Sequence, residues 1–344
     1  MVSYFNCRIL RFLTPLSYLY GFFVSIRNLL YDKDLLKSRK FPVKIVSIGN
    51  LSVGGTGKTP AVEYVARLLL QRGLKPTIAS RGYLKKSKGF VVVADGKDIL
   101  STVEDSGDEP YLMAKNLPSV PIVVDNNRER GIERAIEEFQ PDYILLDDAF
   151  QHRAVERDLD ILILNSKFNH QREKLIPAGI LREPLKSLKR ADVIIFSKTN
   201  IFNGGIASPE IPDISRRLLS FNGIHMPVSV DNPELGKSLP PDWIKGIAFC
   251  GIADPESFKK LLMEEGAVVV KFTPFPDHCK YGERELRAIE KLLLTHRSDI
   301  LITTQKDYYK IAPSFKKRYR LFFLKIEFKM EEREEEFLNI LLNI

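Results

Sequence analysis

Cysteine is scarce: the 344 residues contain three, Cys7, Cys250 and Cys279, and no two form a Cys-x-x-Cys pair. That excludes a disulfide framework or a structural zinc site and suits a reducing compartment. Long apolar runs are missing as well. The uncharged stretch from Phe12 to Ile26 has 15 residues, short of the ~20 that a spanning helix needs. No A-x-A-like site follows it, which argues against a secretory signal. Internal repeats and low-complexity tracts are also absent, and with 44% hydrophobic residues the chain is not a disordered one.

What is present begins with a local excess of charge. The net charge is +8, and the first 40 residues hold seven Arg and Lys against two Asp. On a helix beginning near Pro15, Leu16, Leu19, Tyr20, Phe23, Ile26 and Leu30 share a face, while Ser17, Gly21, Ser25 and Asn28 lie opposite. This pattern suits a helix lying in a membrane interface, with Arg8, Arg11, Arg27 and Lys33 near anionic headgroups. The alternative is a helix packed by the same apolar face on the protein's own core. Nucleic acid is not expected as a partner, because the basic residues are interleaved with that apolar face.

The chain is organised around a glycine-rich turn. Val43 to Ile48 is a β-branched run, Ser52-Val53-Gly54-Gly55-Thr56-Gly57 follows it, and Lys58-Thr59-Pro60 opens a stretch with helical spacing as far as Arg72-Gly73. Strand, glycine loop, Lys-Thr and helix in that order predict a phosphate-binding loop. Glycines let backbone N–H groups approach phosphate oxygens, Lys58 reaches the β and γ phosphates, and the Thr59 hydroxyl suits Mg²⁺. The first glycine of the usual motif is replaced by Ser52.

Strands at Lys75–Ser80, Phe90–Ala94, Val120–Val124, Tyr143–Leu146, Leu159–Leu164 and Val193–Phe196 alternate with helices at Glu109–Asn116 and Arg128–Phe139. This rhythm predicts a doubly wound, mostly parallel α/β sheet of the P-loop NTPase type. Asp147-Asp148 ends the Tyr143 strand as a Walker B segment does, so one of the two carboxylates can serve Mg²⁺. Pro, Gly and Asn punctuate residues 208 to 241 before a second α/β series begins. The expected organisation is a membrane-association segment at 1–40, a kinase domain at 41–220 and a smaller α/β domain at 221–344 that closes over the active site.

Taken together, the motifs are similar to those of one family. Gly49-Asn50 with the loop through Pro60, Ser80-Arg81-Gly82-Tyr83, Gly107-Asp108-Glu109-Pro110, Asp147-Asp148-Ala149-Phe150-Gln151-His152, Leu181-Arg182-Glu183-Pro184 and Phe275-Pro276-Asp277-His278 resemble the tetraacyldisaccharide 4′-kinases of lipid A biosynthesis. The resemblance implies a peripheral enzyme on the cytoplasmic face of the bacterial inner membrane. It would move the γ-phosphate of ATP, with Mg²⁺, to the 4′-hydroxyl of a tetraacylated glucosamine disaccharide 1-phosphate. Ala149, Cys279 and Gln305 depart from the family's usual Gly, His and Glu.

A sugar hydroxyl needs a base to take its proton and cations to hold the phosphoryl charge. By position alone this loop reads as a helix start, with Ser106 and Glu109 at capping-box spacing or Asp108 itself as the N-cap. The resemblance instead makes Asp108 the base and pairs it with His278. Arg182 reads either as a phosphate ligand or as an ion-pair partner of Glu183. Gln151 and His152, just after the Asp147-Asp148 strand end, are further candidates for Mg²⁺ or sugar. Two other functions compete: a kinase for a soluble small molecule, which leaves the N-terminal helix without a role, and a nucleotide-controlled membrane switch. The missing Asn-Lys-x-Asp weakens a GTPase version of the latter, Ser197-Lys198-Thr199-Asn200 being a loose echo.

Overall fold

Strand β1 (Lys44–Asn50) runs parallel between β5 (Tyr143–Asp147) and β6 (Leu159–Asn165) in the computed structural model, which describes residues 12–167, 173–202 and 218–344. Arg8 and Arg11 lie outside these residues. Beyond β5 come β2 (Pro76–Ser80), β4 (Pro121–Val124) and an antiparallel edge, β3 (Val91–Asp95). Beyond β6 come β7 (Val193–Ser197) and the first residues of β8 (Leu219–Asn232), both parallel. The result is an α/β fold on a mostly parallel sheet.

Alternate residues of β1 serve the two faces, as the period of a strand requires. Val46 and Ile48 pack with Val62, Val65, Ala66 and Leu69 of α2 (Lys58–Gln71), whereas Ile45 joins Ile132 and Ala135 of α5 (Arg128–Phe139) on the other face. From β1 the chain crosses to β2 on one side, and it later returns to β6 on the other. The carboxyl end of β1 is therefore a topological switch point, where loops part and leave a crevice.

The chain forms two compact units, Met1–Ile224 with Phe328–Ile344, and His225–Glu327. The second has its own parallel strands, β11 (Val268–Pro274), β10 (Lys245–Cys250), β12 (Ile300–Thr304) and β13 (Arg320–Met330), in that order. Ile247, Phe249, Leu301, Tyr308 and Leu321 form its core. Two features differ from the expectation. The stretch punctuated by Pro, Gly and Asn contains the 14-residue strand β8, and Phe328–Ile344 returns to the first unit. Phe328, Phe337 and Leu341 are buried there with Val62 and Tyr64, and Gly223 makes room, since a Cβ on it would stand 2.1 Å from the Phe328 ring.

Helix α1 (Thr14–Asp32) docks by its polar stripe. Ser17, Gly21, Val24 and Asn28 are buried, whereas Leu16, Leu19, Phe22, Phe23 and Ile26 remain exposed. This removes the alternative in which the apolar face packs on the protein's own core. Tyr20 departs from the apolar face and is hydrogen-bonded inside. No described helix is long and apolar enough to cross a membrane.

The C-terminal helix α10 (Glu334–Leu342) is an anchor of the first unit, with its acidic first turn turned to water. Phe337→Ala should lower unfolding free energy by about 3–5 kcal/mol, the usual cost of emptying a phenylalanine site in a core. Denaturant titration of the intact chain measures this, and a loss below about 1 kcal/mol would show that the segment is not part of that core.

Candidate active site

After Asn50 the chain turns through residues 51–57 and enters α2 at Lys58. Gly57 is the helix N-cap at φ 85°, and Gly54 has φ 108°, conformations that glycine adopts without a Cβ clash. The loop is held from outside. Asn165 Nδ2 donates to the Gly55 carbonyl at 3.2 Å and Ser197 Oγ to the Thr56 carbonyl at 2.5 Å. A trans peptide carries its N–H opposite its C=O, so the Gly57 N–H points away from Ser197. On the other flank, Val53 N donates to Ile180 O and Arg182 N to Leu51 O, both at 2.8 Å, around a bridge of Ser52 with Leu181. Asn50 Nδ2 ties Ser52 O to Thr56 Oγ1 at 2.5 and 2.9 Å. The dipole of α2 adds a positive end at the same place.

Neighbouring β5 delivers Asp147 and Asp148 beside this loop, with Ile48 of β1 in register with Asp147. Asp147 is buried and accepts from Ser80 Oγ at 2.9 Å, while its Oδ1 is also buried without a hydrogen-bond partner among the described residues. Burial, then the charges of Glu109 and Asp148, pushes its carboxyl up to about 7. Asp148, at φ 49°, has the opposite balance. Burial alone would raise it, but Lys58 and then Arg182 outweigh that and hold it at about 2. Lys58 Nζ lies 3.5 Å from Asp148 Oδ1, and Arg182 Nη1 contacts both Asp148 oxygens at 3.0 and 2.9 Å. No group of three or more His, Cys, Asp or Glu side chains assembles a metal cage among the described residues. The unpaired Asp147 oxygen instead suits a cation held by one or two carboxylates together with a nucleotide's phosphates, as Mg²⁺ is. Thr59 is the second residue of α2 at this loop.

Asp108 is the first residue of α4 (Asp108–Asn116), and Gly107, not Asp108 or Ser106, is the cap. Ser106 Oγ instead donates to Thr102 O at 2.6 Å. The capping box expected from spacing is thus not formed. Gly107 has φ 90°, and a Cβ on it would stand 2.8 Å from Tyr83 O; a Cβ on Gly82 would be 2.8 Å from Ser106 O. These two glycines let the Ser80–Tyr83 and Ser106–Asp108 turns touch, which brings the start of α4 to the end of β2.

Arg182 makes its ion pair with Asp148, whereas the fully buried Glu183 binds Arg27 and Arg190. Gln151 braces the site: its Nε2 donates to Asn50 O at 2.8 Å, and its Oε1 lies 3.5 Å from Arg182 Nη1. His278 belongs to the second unit, at φ 56°, with Nε2 3.4 Å from Lys306 Nζ. Sequence reading missed Arg128, a buried guanidinium that donates to Asp148 O at 2.8 Å. Its signal was available, since it opens a helix just after the carboxyl end of β4. Asn165 and Ser197 were missed similarly, each being the last residue of its strand.

Known proteins resemble the chain along nearly its whole length. The family model described as "Tetraacyldisaccharide-1-P 4'-kinase" matches residues 9–344. The tetraacyldisaccharide 4'-kinase of Syntrophus aciditrophicus is 37% identical over 331 residues, covering 92% of this chain and 88% of that protein. That of Aquifex aeolicus is 38% identical over 328 residues, covering 94% and 95%. The crystal structure of the Aquifex aeolicus protein LpxK in complex with ATP superposes with a TM-score of 0.79 at 36% identity, covering 97% of this chain and 99% of that one. The chain therefore belongs to the tetraacyldisaccharide-1-phosphate 4′-kinase family.

Proposed function

We propose that the chain transfers the γ-phosphate of ATP to the 4′-hydroxyl of a tetraacylated glucosamine disaccharide 1-phosphate on the cytoplasmic face of the inner membrane. The observation that carries this reading is the meeting of a glycine loop, Lys58, Arg182 and the Asp147–Asp148 pair at the switch point of a chain from this kinase family. Residues 52–59 act as the P-loop. Before nucleotide arrives, Asp148 holds Lys58 and Arg182 where phosphate oxygens will take its place. Both cations are then aligned without reorganisation when charge develops on the transferred group.

Mg²⁺ would be held by Thr59, Asp147, Asp148 and the nucleotide, with Gln151 close by; it supplies charge neutralisation at the β and γ phosphates. Asp108 is the general base that accepts the proton of the sugar hydroxyl, and His278 is its partner. The exposed apolar face of α1 lies in the cytoplasmic leaflet. Returning acyl chains to water costs ~0.8 kcal/mol per CH₂, so four tails are best left in the bilayer while the sugar alone enters the site. A soluble-substrate kinase gives no use to that face.

Incubation with γ-labelled ATP and the glycolipid, followed by chromatography of the lipid, tests the reading directly. Label in the lipid over many turnovers is expected, and its absence beside ATP consumption would exclude the acceptor. Lys58→Ala and Asp147→Ala should each cut turnover by at least about 10²-fold, the scale for losing a preorganised charge contact. Near-normal kcat in the Lys58 variant would sink the loop assignment.

For the base, Asp108→Asn should retain ATP binding while kcat falls by about 10²–10⁴-fold. His278→Ala should lower kcat too and couple to Asp108 in a double-mutant cycle; independent, multiplying effects would remove the pair. For the membrane, replacing Leu19 and Phe23 with Glu should release the protein from anionic vesicles and reduce activity on vesicle-borne lipid more than basal ATP hydrolysis. Undiminished co-sedimentation with vesicles would rule out this face as the anchor.

A further inference from the structure

The buried side of α1 is polar at the points where it meets one loop, residues 174–183. Ser17 Oγ donates to Leu175 O and accepts from Ala178 N, both at 2.9 Å. Tyr20 OH donates to Arg182 O at 2.7 Å. Glu183 accepts from Arg27 at 3.0 Å, Asn28 at 2.8 Å and Arg190 at 2.9 Å. Gly21 permits the approach, since a Cβ there would stand 2.6 Å from Leu175 Cδ1.

The same loop reaches the phosphate site at its other end. Its Ile180 and Arg182 main chains pair with Val53 and Leu51, and the Arg182 guanidinium holds Asp148. Arg190, bound to Glu183, also lies 4.5 Å from the centre of the Phe150 ring, two residues beyond Asp148. The contacts thus run without a break from α1 through Glu183 and the Arg182 main chain to Asp148 and the glycine loop.

A helix that only anchors the protein needs no such arrangement, because an apolar stripe would dock it without burying a carboxylate. A buried carboxylate is costly unless it is paired and hydrogen-bonded, and Glu183 is held from three directions by Arg27, Asn28 and Arg190, which ties the loop to the helix in one place. We propose that Tyr20 and Glu183 are positioning residues for Arg182, so that the seating of α1 sets how well the phosphate site is assembled. Arg182 and Lys58 do the chemistry; α1 fixes where the Arg182 guanidinium stands. The inference rests on the phosphoryl-transfer reading of Arg182 given above.

The test is a double-mutant cycle on the full chain in mixed detergent micelles, reading both labelled glycolipid and ATP consumption. Tyr20→Phe and Glu183→Gln should each lower kcat by about 5–30-fold, the scale of a 1–2 kcal/mol coupling, with vesicle sedimentation unchanged. In an Arg182→Ala background, Tyr20→Phe should cost less than about twofold, because what it positions is gone. An equal loss in both backgrounds, or a loss that follows a drop in thermal stability or release from vesicles, would overturn the proposal. If Glu183→Gln fails to fold, Tyr20→Phe, which deletes one hydroxyl, carries the cycle alone. A wild type that consumes ATP without labelling the lipid would reject the acceptor and leave the cycle readable on ATP consumption.

Discussion

A backbone that turns N–H groups toward an anion must send carbonyls the other way, and each carbonyl sent away has to find a donor. Much of the first unit follows from that constraint. Asn165 and Ser197, at the ends of β6 and β7, take the carbonyls of Gly55 and Thr56, while the main chain of Arg182 takes that of Leu51. The strands on one side of β1 therefore do more than complete a sheet. Their last residues hold the loop open, and the segment between them supplies the arginine that reaches Asp148.

The two adjacent carboxylates are driven apart by their surroundings. Asp147 faces Ser80 and the negative charges of Glu109 and Asp148, whereas Asp148 faces Lys58, Arg182 and Arg128. One side chain is thereby poised to gain from a cation, and the other already faces three. Such separation by environment is how neighbouring acids acquire different work.

The periodic core of the first unit was legible in the sequence because β-branched runs and helical repeats alternate with short turns. Arg128–Phe139 even has the predicted bounds. β8 was not legible: Asn222-Gly223 and Pro227 carry turn chemistry, yet Gly223 is there to accept the Phe328 ring, a contact more than 100 residues distant. At the site, Lys58, Asp147, Asp148 and Arg182 were legible as motifs, whereas their partners were not. Local spacing also misassigned Ser106 and Asp108 to a cap, since no local rule reports that Gly107 must pass against Tyr83. The apolar face of α1 was visible as a stripe, but only Ser17 and Asn28 in their bonded positions reveal which side meets the protein.

The return of Phe328–Ile344 to the first unit bears on how the chain is made. Domains fold as units during synthesis, at about 5–20 residues per second, once their residues have left the ribosome. When residues up to 327 have emerged, the second unit is whole, but the first still lacks Phe328, Phe337 and Leu341 of its core. The unit that carries the glycine loop is therefore finished last, although most of it is made first. Until then the part of its core that Phe328, Phe337 and Leu341 cover is open, at the same time as the apolar face of α1.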